Sequence, residues 1–155
     1  MSFLVSIDPG DRGGDTGIVI LEYQFNQAAE LYVDFTVPGG TENFSYWLEE
    51  NAASTVEWAH IATVIVEDFE PRLGTPVKSY EPAQIVGICR YLWNATPVTP
   101  SGRKTAVPDK VLDRLGLYDF PGDHHGDRRE AARHAVRWLK DNNHAPTMQK
   151  GWPDE

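Results

Sequence analysis

The chain has 155 residues, 41% of them apolar, and a formal charge of −9. That is enough for one domain with a full core and short for two. No apolar run reaches the roughly 18 residues that span a bilayer, and the N-terminus lacks the basic segment and apolar stretch of a secretion signal. The lone cysteine, Cys89, excludes an internal disulfide and reads as a small buried hydrophobe among Ile85, Val86 and Ile88, as suits a reducing cytoplasm.

From the N-terminus, Phe3 to Asp8, Thr16 to Tyr23 and Leu31 to Val37 alternate or run apolar and are bounded by Gly, Pro and Asn. They predict three short strands, and the short links between them favour antiparallel neighbours. Pro38-Gly39-Gly40 ends this meander. Thr41 is the expected N-cap of a helix running to about Trp58, with Phe44, Trp47, Leu48 and Val56 among its apolar contacts. The run Ile61 to Val66 is apolar throughout, as in a strand covered on both faces and paired in parallel.

Glu81-Pro82-Ala83 opens a second helix that turns Ile85, Val86, Cys89 and Leu92 inward, and Thr96 to Val98 forms a fifth strand. Pro108-Asp109 starts a short helix through Leu115, stopped by Gly116. The last helix spans about Gly126 to Asp141, with Ala131 or Ala132, Ala135, Val136 and Leu139 as its core stripe. One domain is expected over 1–141, and the tail 142–155 has little to pack and is expected to fray. Three antiparallel strands, a helix, a buried parallel strand and further αβ units make a single α/β domain: a mixed five-stranded sheet flanked by helices, of the ribonuclease H-like kind.

The acidic charge argues against a nucleic-acid partner, but its distribution does not. Residues 1–100 sum to −10, residues 101–140 to +3 and the last fifteen to −2. The C-terminal third can therefore face a polyanion, although a helix decorated with solvated Arg and Lys explains that third equally well.

The strand Phe3 to Ile7 ends on Asp8 at a Pro-Gly turn, and the later apolar strand ends on Glu67. Asp127 and Glu130 lie one helical turn apart. Clustered carboxylates repel in a low dielectric, and divalent cations are the usual remedy. These residues predict a magnesium-type site with phosphate chemistry. His124 and His125 beside Asp127 suggest zinc, but no second His or Cys pair has ligand spacing. Either histidine remains a candidate general acid or phosphate contact. His134 is expected to be packed or exposed without a role.

The string SIDPGDRGGDTGIVI resembles the first strand and hairpin of RuvC-type Holliday junction resolvases, TVIVEDFEPR is similar to their second acidic motif, and DHHGDRREAARHAVRWL resembles their C-terminal helix. The likeness is greatest to the small resolvases of bacteriophages. It implies metal-binding, catalytic roles for Asp8, Glu67, Asp127 and Glu130. Glu130 stands where the family more often has Asp, and Asp11, Asp15 and Asp68 are possible competing ligands.

The resemblance further implies a structure-specific DNA endonuclease acting on Holliday junctions and other branched DNA. It would use two Mg²⁺ or Mn²⁺ ions and work as a homodimer, in the cytoplasm (a host's, if phage-encoded). Two hard cations about 4 Å apart activate water and neutralise the charge that develops on phosphate and leaving oxygen. Cleavage would leave a 5′-phosphate and a 3′-hydroxyl with no covalent intermediate. Candidate phosphate contacts are Arg72 and Lys78 after Glu67, then Arg103, Lys104, Lys110, Arg128, Arg129 and Arg133. Phe69, Tyr80 and Tyr118 are candidate stacking platforms for unpaired bases. Alternatives are a ribonuclease acting on RNA–DNA hybrids, a silent branched-DNA-binding module, and an actin-like or sugar-kinase-like ATP domain, which needs far more chain.

Overall fold

The structure, a computed structural model, describes residues 1–122 and 125–155. The first three strands are β1 (Ser2–Asp8), β2 (Asp15–Gln24) and β3 (Gln27–Pro38). Next come α1 (Thr41–Glu50), the single turns α2 (Ala52–Thr55) and α3 (Trp58–Ile61), β4 (Ala62–Glu67), α4 (Glu81–Trp93) and β5 (Thr96–Val98). The chain ends in α5 (Arg103–Ala106), α6 (Asp109–Arg114), α7 (Gly126–Asp141) and α8 (Ala145–Gly151). The strands form one sheet in the order β3-β2-β1-β4-β5, with β1 antiparallel to β2 and parallel to β4. The expected mixed five-stranded sheet is therefore present.

Each sheet face carries its own core. Leu4, Val19, Leu21 and Ile65 pack with Ala131, Ala132, Ala135, Val136 and Leu139 of α7 and with Val111 and Leu112 of α6. Val5, Ile7, Ile18 and Val66 pack on the opposite face with Phe44 and Trp47 of α1 and Ile85, Val86 and Cys89 of α4. Strand alternation puts Leu4, Ser6 and Asp8 on the α7 face. The apolar residues at both sheet faces account for the near-continuous hydrophobic run of β4.

Five expectations are corrected. The helix expected from Thr41 to Trp58 breaks at Asn51 and again near Glu57. In a straight helix Trp47 and Trp58 would lie about 16 Å apart along the axis; the breaks bring their rings to 5.9 Å and Trp58 to 4.9 Å from Trp93. Val56 is exposed as a result, and at the end of α4 it is Trp93 rather than Leu92 that turns inward. Thr41 is not the cap: Gly40 precedes α1 at φ 101° without a side-chain bond, and the Thr41 N–H donates to Glu81 Oε1 of α4 at 3.3 Å.

The tail does not fray. Trp152 joins the α7-side core, Thr147 Oγ1 accepts from the buried Ala29 N–H at 2.9 Å, and His144 Nε2 lies 2.6 Å from the Gln24 carbonyl. Sequence periodicity gave no sign of this packing because α8 is only 7 residues long.

Candidate active site

Parallel pairing of β1 and β4 sets Ile7 beside Val66, which brings Asp8 level with Glu67 at the same end of the sheet. On the other side of β1, Asp8 faces Gly17 of β2. Gly17 lies directly under the first turn of α7: a Cβ there would sit 2.4 Å from the Asp127 carbonyl carbon and oxygen and 2.7 Å from the Arg128 nitrogen. Only a residue without a side chain lets the helix backbone approach the strand so closely. The hairpin between these points is fastened by Thr16 Oγ1, which accepts from the Gly10 N–H at 3.0 Å, and by Gly40 N–H donating to the Gly10 carbonyl at 2.9 Å.

Asp8 feels the charge of each of the other three sequence-predicted acids. Burial, a hydrogen bond to Glu67 and the charges of Glu67, Asp127 and Glu130 together hold the Asp8 carboxyl well above its ordinary range. Glu67 moves the other way. Burial alone would raise it, but the neighbouring His134, a hydrogen bond from Asp8 and the nearby charge of Arg103 outweigh that and hold it at about 2. Within the pair, Asp8 holds a proton more tightly than Glu67 does.

Glu130 is drawn aside. Its Oε2 accepts from Arg103 Nε at 3.0 Å and from Arg133 Nε at 3.2 Å. Among the described residues no three His, Cys, Asp or Glu side chains close into a ready-made cage. Mutual repulsion of the carboxylates and the pull of two arginines on Glu130 both oppose that closure. The donor set nonetheless suits a hard divalent cation: all-oxygen, anionic in excess, and under an electrostatic strain that such an ion relieves.

The basic residues divide sharply. Arg72, Lys78, Lys104 and Lys110 are exposed, and Arg72 and Lys78 line a groove of about 220 Å³ with Asp11 and Phe69 in the loop after Glu67. Arg103 belongs to the acid cluster itself. Arg128 is buried, with Nη1 2.5 Å from Asp34 Oδ2 and a bond to the Pro121 carbonyl, so its expected role as a DNA contact is corrected to a structural one.

Arg129 is likewise engaged: it donates to the Tyr118 carbonyl at 2.7 Å and lies 3.7 Å over the Tyr118 ring. This also occupies Tyr118, the expected stacking platform. Arg133 is 1% exposed and bonded to Val107, Asp109 and Glu130. Tyr80 stays exposed beside Phe69, with ring centroids 5.9 Å apart. His125 Nδ1 lies 3.1 Å from Arg129, and His124 falls outside the described residues.

His134 was not expected at the site. It follows Asp127 by seven positions and Glu130 by four, which puts all three on one stripe of α7. That spacing was the available signal. A hollow of about 580 Å³ lies elsewhere, at the start of β1 among Phe3, Tyr32, Trp47 and Trp58. Its lining is mostly apolar and holds no carboxylate, histidine or cysteine.

Solved structures share this fold. Thermus thermophilus RuvC in complex with a Holliday junction substrate is 16% identical with a TM-score of 0.63, covering 94% of this chain and 98% of that one. A second T. thermophilus RuvC structure is 17% identical with a TM-score of 0.58, covering 90% and 96%. The Fowlpox virus resolvase in complex with substrate Holliday junction DNA is 14% identical with a TM-score of 0.57, covering 89% and 99%. The chain has the RuvC-type, ribonuclease H-like fold. No protein-family model and no curated protein matches the sequence. In this fold Asp8 and Glu67 stand at the ends of β1 and β4, and Asp127 and Glu130 in the first two turns of α7. Among the described residues no helix is long and apolar enough to cross a membrane.

Proposed function

We propose that the protein is a metal-dependent, structure-specific endonuclease that cleaves Holliday junctions and related branched DNA. The observation that carries this reading is the meeting of Asp8, Glu67, Asp127 and Glu130, three elements contributing to one strained acidic focus on a RuvC-type fold. Asp8, Glu67 and Asp127, with Glu130 at the arginine-bound edge, would hold two Mg²⁺ or Mn²⁺ ions. Such ions supply an activated water and neutralise charge on the scissile phosphate.

The chain's own residues do the rest. Arg103, one-third exposed at the cluster, offers a guanidinium to a phosphate oxygen. Exposed Lys104, Lys110, Arg72 and Lys78 supply the salt-dependent hold on the backbone. Tyr80 presents an open ring to an unstacked base. A homodimer would present two such sites in matching orientation to the two strands of a symmetric junction.

The test is cleavage of labelled four-way junction, fork, linear duplex and RNA–DNA hybrid with and without Mg²⁺. Preferred cutting of the junction is expected. Asp8→Asn and Glu67→Gln should each lower that cutting by more than about 100-fold, beyond the usual loss of an outer-shell partner, and leave junction binding in Ca²⁺ intact. Undiminished cutting by both variants overturns the site; preferred cutting of the hybrid overturns the substrate.

A further inference from the structure

The His134 ring is completely enclosed. Its residue is 1% exposed, and neither ring nitrogen has a hydrogen-bonded partner among the described residues. A buried polar atom without a partner costs free energy and asks for an explanation. Glu67 is within reach: His134 Nε2 lies 3.5 Å from Glu67 Oε2, at the outer limit of a hydrogen bond. The relative burial of the two groups shows which side of the carboxylate the ring occupies. The Glu67 side chain keeps 19% of its surface open and that of His134 keeps none. The imidazole therefore approaches Glu67 Oε2 from the protein interior, while part of the Glu67 side chain stays open to solvent.

We infer that His134 is a positioning residue, donating Nε2–H to the inner oxygen of Glu67 so that the outer oxygen faces a bound divalent cation. This inference rests on the metal-site reading above and extends it to a residue that reading does not use. The need for such a backstop follows from the neighbours. Glu130 is committed to Arg103 and Arg133, so Glu67 and Asp8 carry more of the burden of holding an ion. A glutamate with three free torsions loses affinity unless something fixes its plane, and hydrogen bonds from behind do that for carboxylate and histidine ligands alike. The helix spacing serves this geometry: Asp127 and Glu130 reach the rim, and His134, one turn further along α7, reaches beneath it.

The experiment compares wild type with His134→Leu, which removes both nitrogens at similar bulk, and His134→Gln, which keeps an N–H donor. Mn²⁺ binding is measured by calorimetry without DNA, beside thermal melts in EDTA. The Leu variant is expected to bind Mn²⁺ about 10–100-fold more weakly, the Gln variant to recover most of that loss, and the metal-free Leu variant to melt no lower than wild type. Wild-type Mn²⁺ affinity in the Leu variant overturns the inference.

Nitrogen-15 NMR of the wild-type imidazole gives a reading independent of any variant's folding: a proton on Nε2 is required, and a bare Nε2 overturns the role. Asp8→Asn separates the two levels. If it keeps both Mn²⁺ binding and cleavage, the metal site itself is wrong. If it loses both while His134→Leu keeps both, only the role of His134 falls.

Discussion

Gly17→Ala is the sharpest test of how the site is built. The added Cβ would lie 2.4 Å from the Asp127 carbonyl carbon and oxygen, against 3.4–4 Å for ordinary contact. Strand and helix must therefore part by about 1 Å, and the clashing atoms are backbone, which cannot swing aside as a side chain would. The first turn of α7 is also pinned by the Arg128–Asp34 ion pair and the bond to the Pro121 carbonyl. Overpacking of this kind costs about 1–3 kcal/mol, or a fall of about 2–12 °C in Tm for a chain of this size. The catalytic effect should be larger in proportion, because a displacement of about 1 Å at a reacting centre costs roughly 100-fold. The assay is junction cleavage in Mg²⁺ at a temperature well below the melt, with Gly14→Ala as control. That Cβ would meet only Asp11, at 3.5 Å, and should be nearly neutral. A Gly17→Ala protein with wild-type Tm and wild-type cleavage would refute the close approach as the device that delivers Asp127.

Other outcomes follow from the same coordinates. Lys104→Ala and Lys78→Ala, both on exposed residues, should each lower the salt slope of junction binding by about 1 without moving Tm. Arg128→Ala should instead destabilise by about 3 kcal/mol in a urea melt, since it strands Asp34. A Tm unchanged in that variant would show the ion pair to be dispensable. Thr147→Val leaves the buried Ala29 N–H unpaired and should cost about 1–3 kcal/mol; a neutral result would mean that α8 is not held at this point. The raised Asp8 carboxyl contributes fully to stability while protonated, below its ordinary value, and that contribution is lost as pH rises through the raised one. Metal-free protein should thus lose stability as pH climbs past the usual carboxylate range, and Mg²⁺ or Asp8→Asn should remove the loss. A metal-free Tm independent of pH there, and identical in Asp8→Asn, would contradict it. Glu67, held at about 2, has the opposite sign: its contribution is present above pH 4.5 and fades as pH falls towards 2.

Much of this was legible in one dimension because its causes are local. An apolar run ending on Asp8 at Pro9-Gly10, or on Glu67 before a proline-broken loop, is a property of adjacent residues. So is the i, i+3 pair Asp127 and Glu130. The core stripe of α7 followed from helical period alone, and all of Ala131, Ala132, Ala135, Val136 and Leu139 are buried. The misread segments are those where local preference was overridden. Helical propensity runs on past Asn51, yet burying Trp58 against Trp47 and Trp93 outweighed continuing the helix.

What the amino-acid order determined by itself is the supply of parts: strands that end in carboxylates, a helix with acids on one stripe, and a basic C-terminal third. The tertiary structure decided which parts meet. Register between β1 and β4 placed Asp8 beside Glu67, and the bare Cα of Gly17 admitted Asp127. Arginines that look alike in sequence were sorted by which acid arrived next to them. Asp34, 94 positions away, took Arg128 into the interior, while Lys104 was left facing water. The same packing made His134, a residue with no role expected from sequence, the neighbour of Glu67. Such outcomes depend on long-range partners that no window of neighbouring residues contains, because a charge is buried or solvated according to what folds against it.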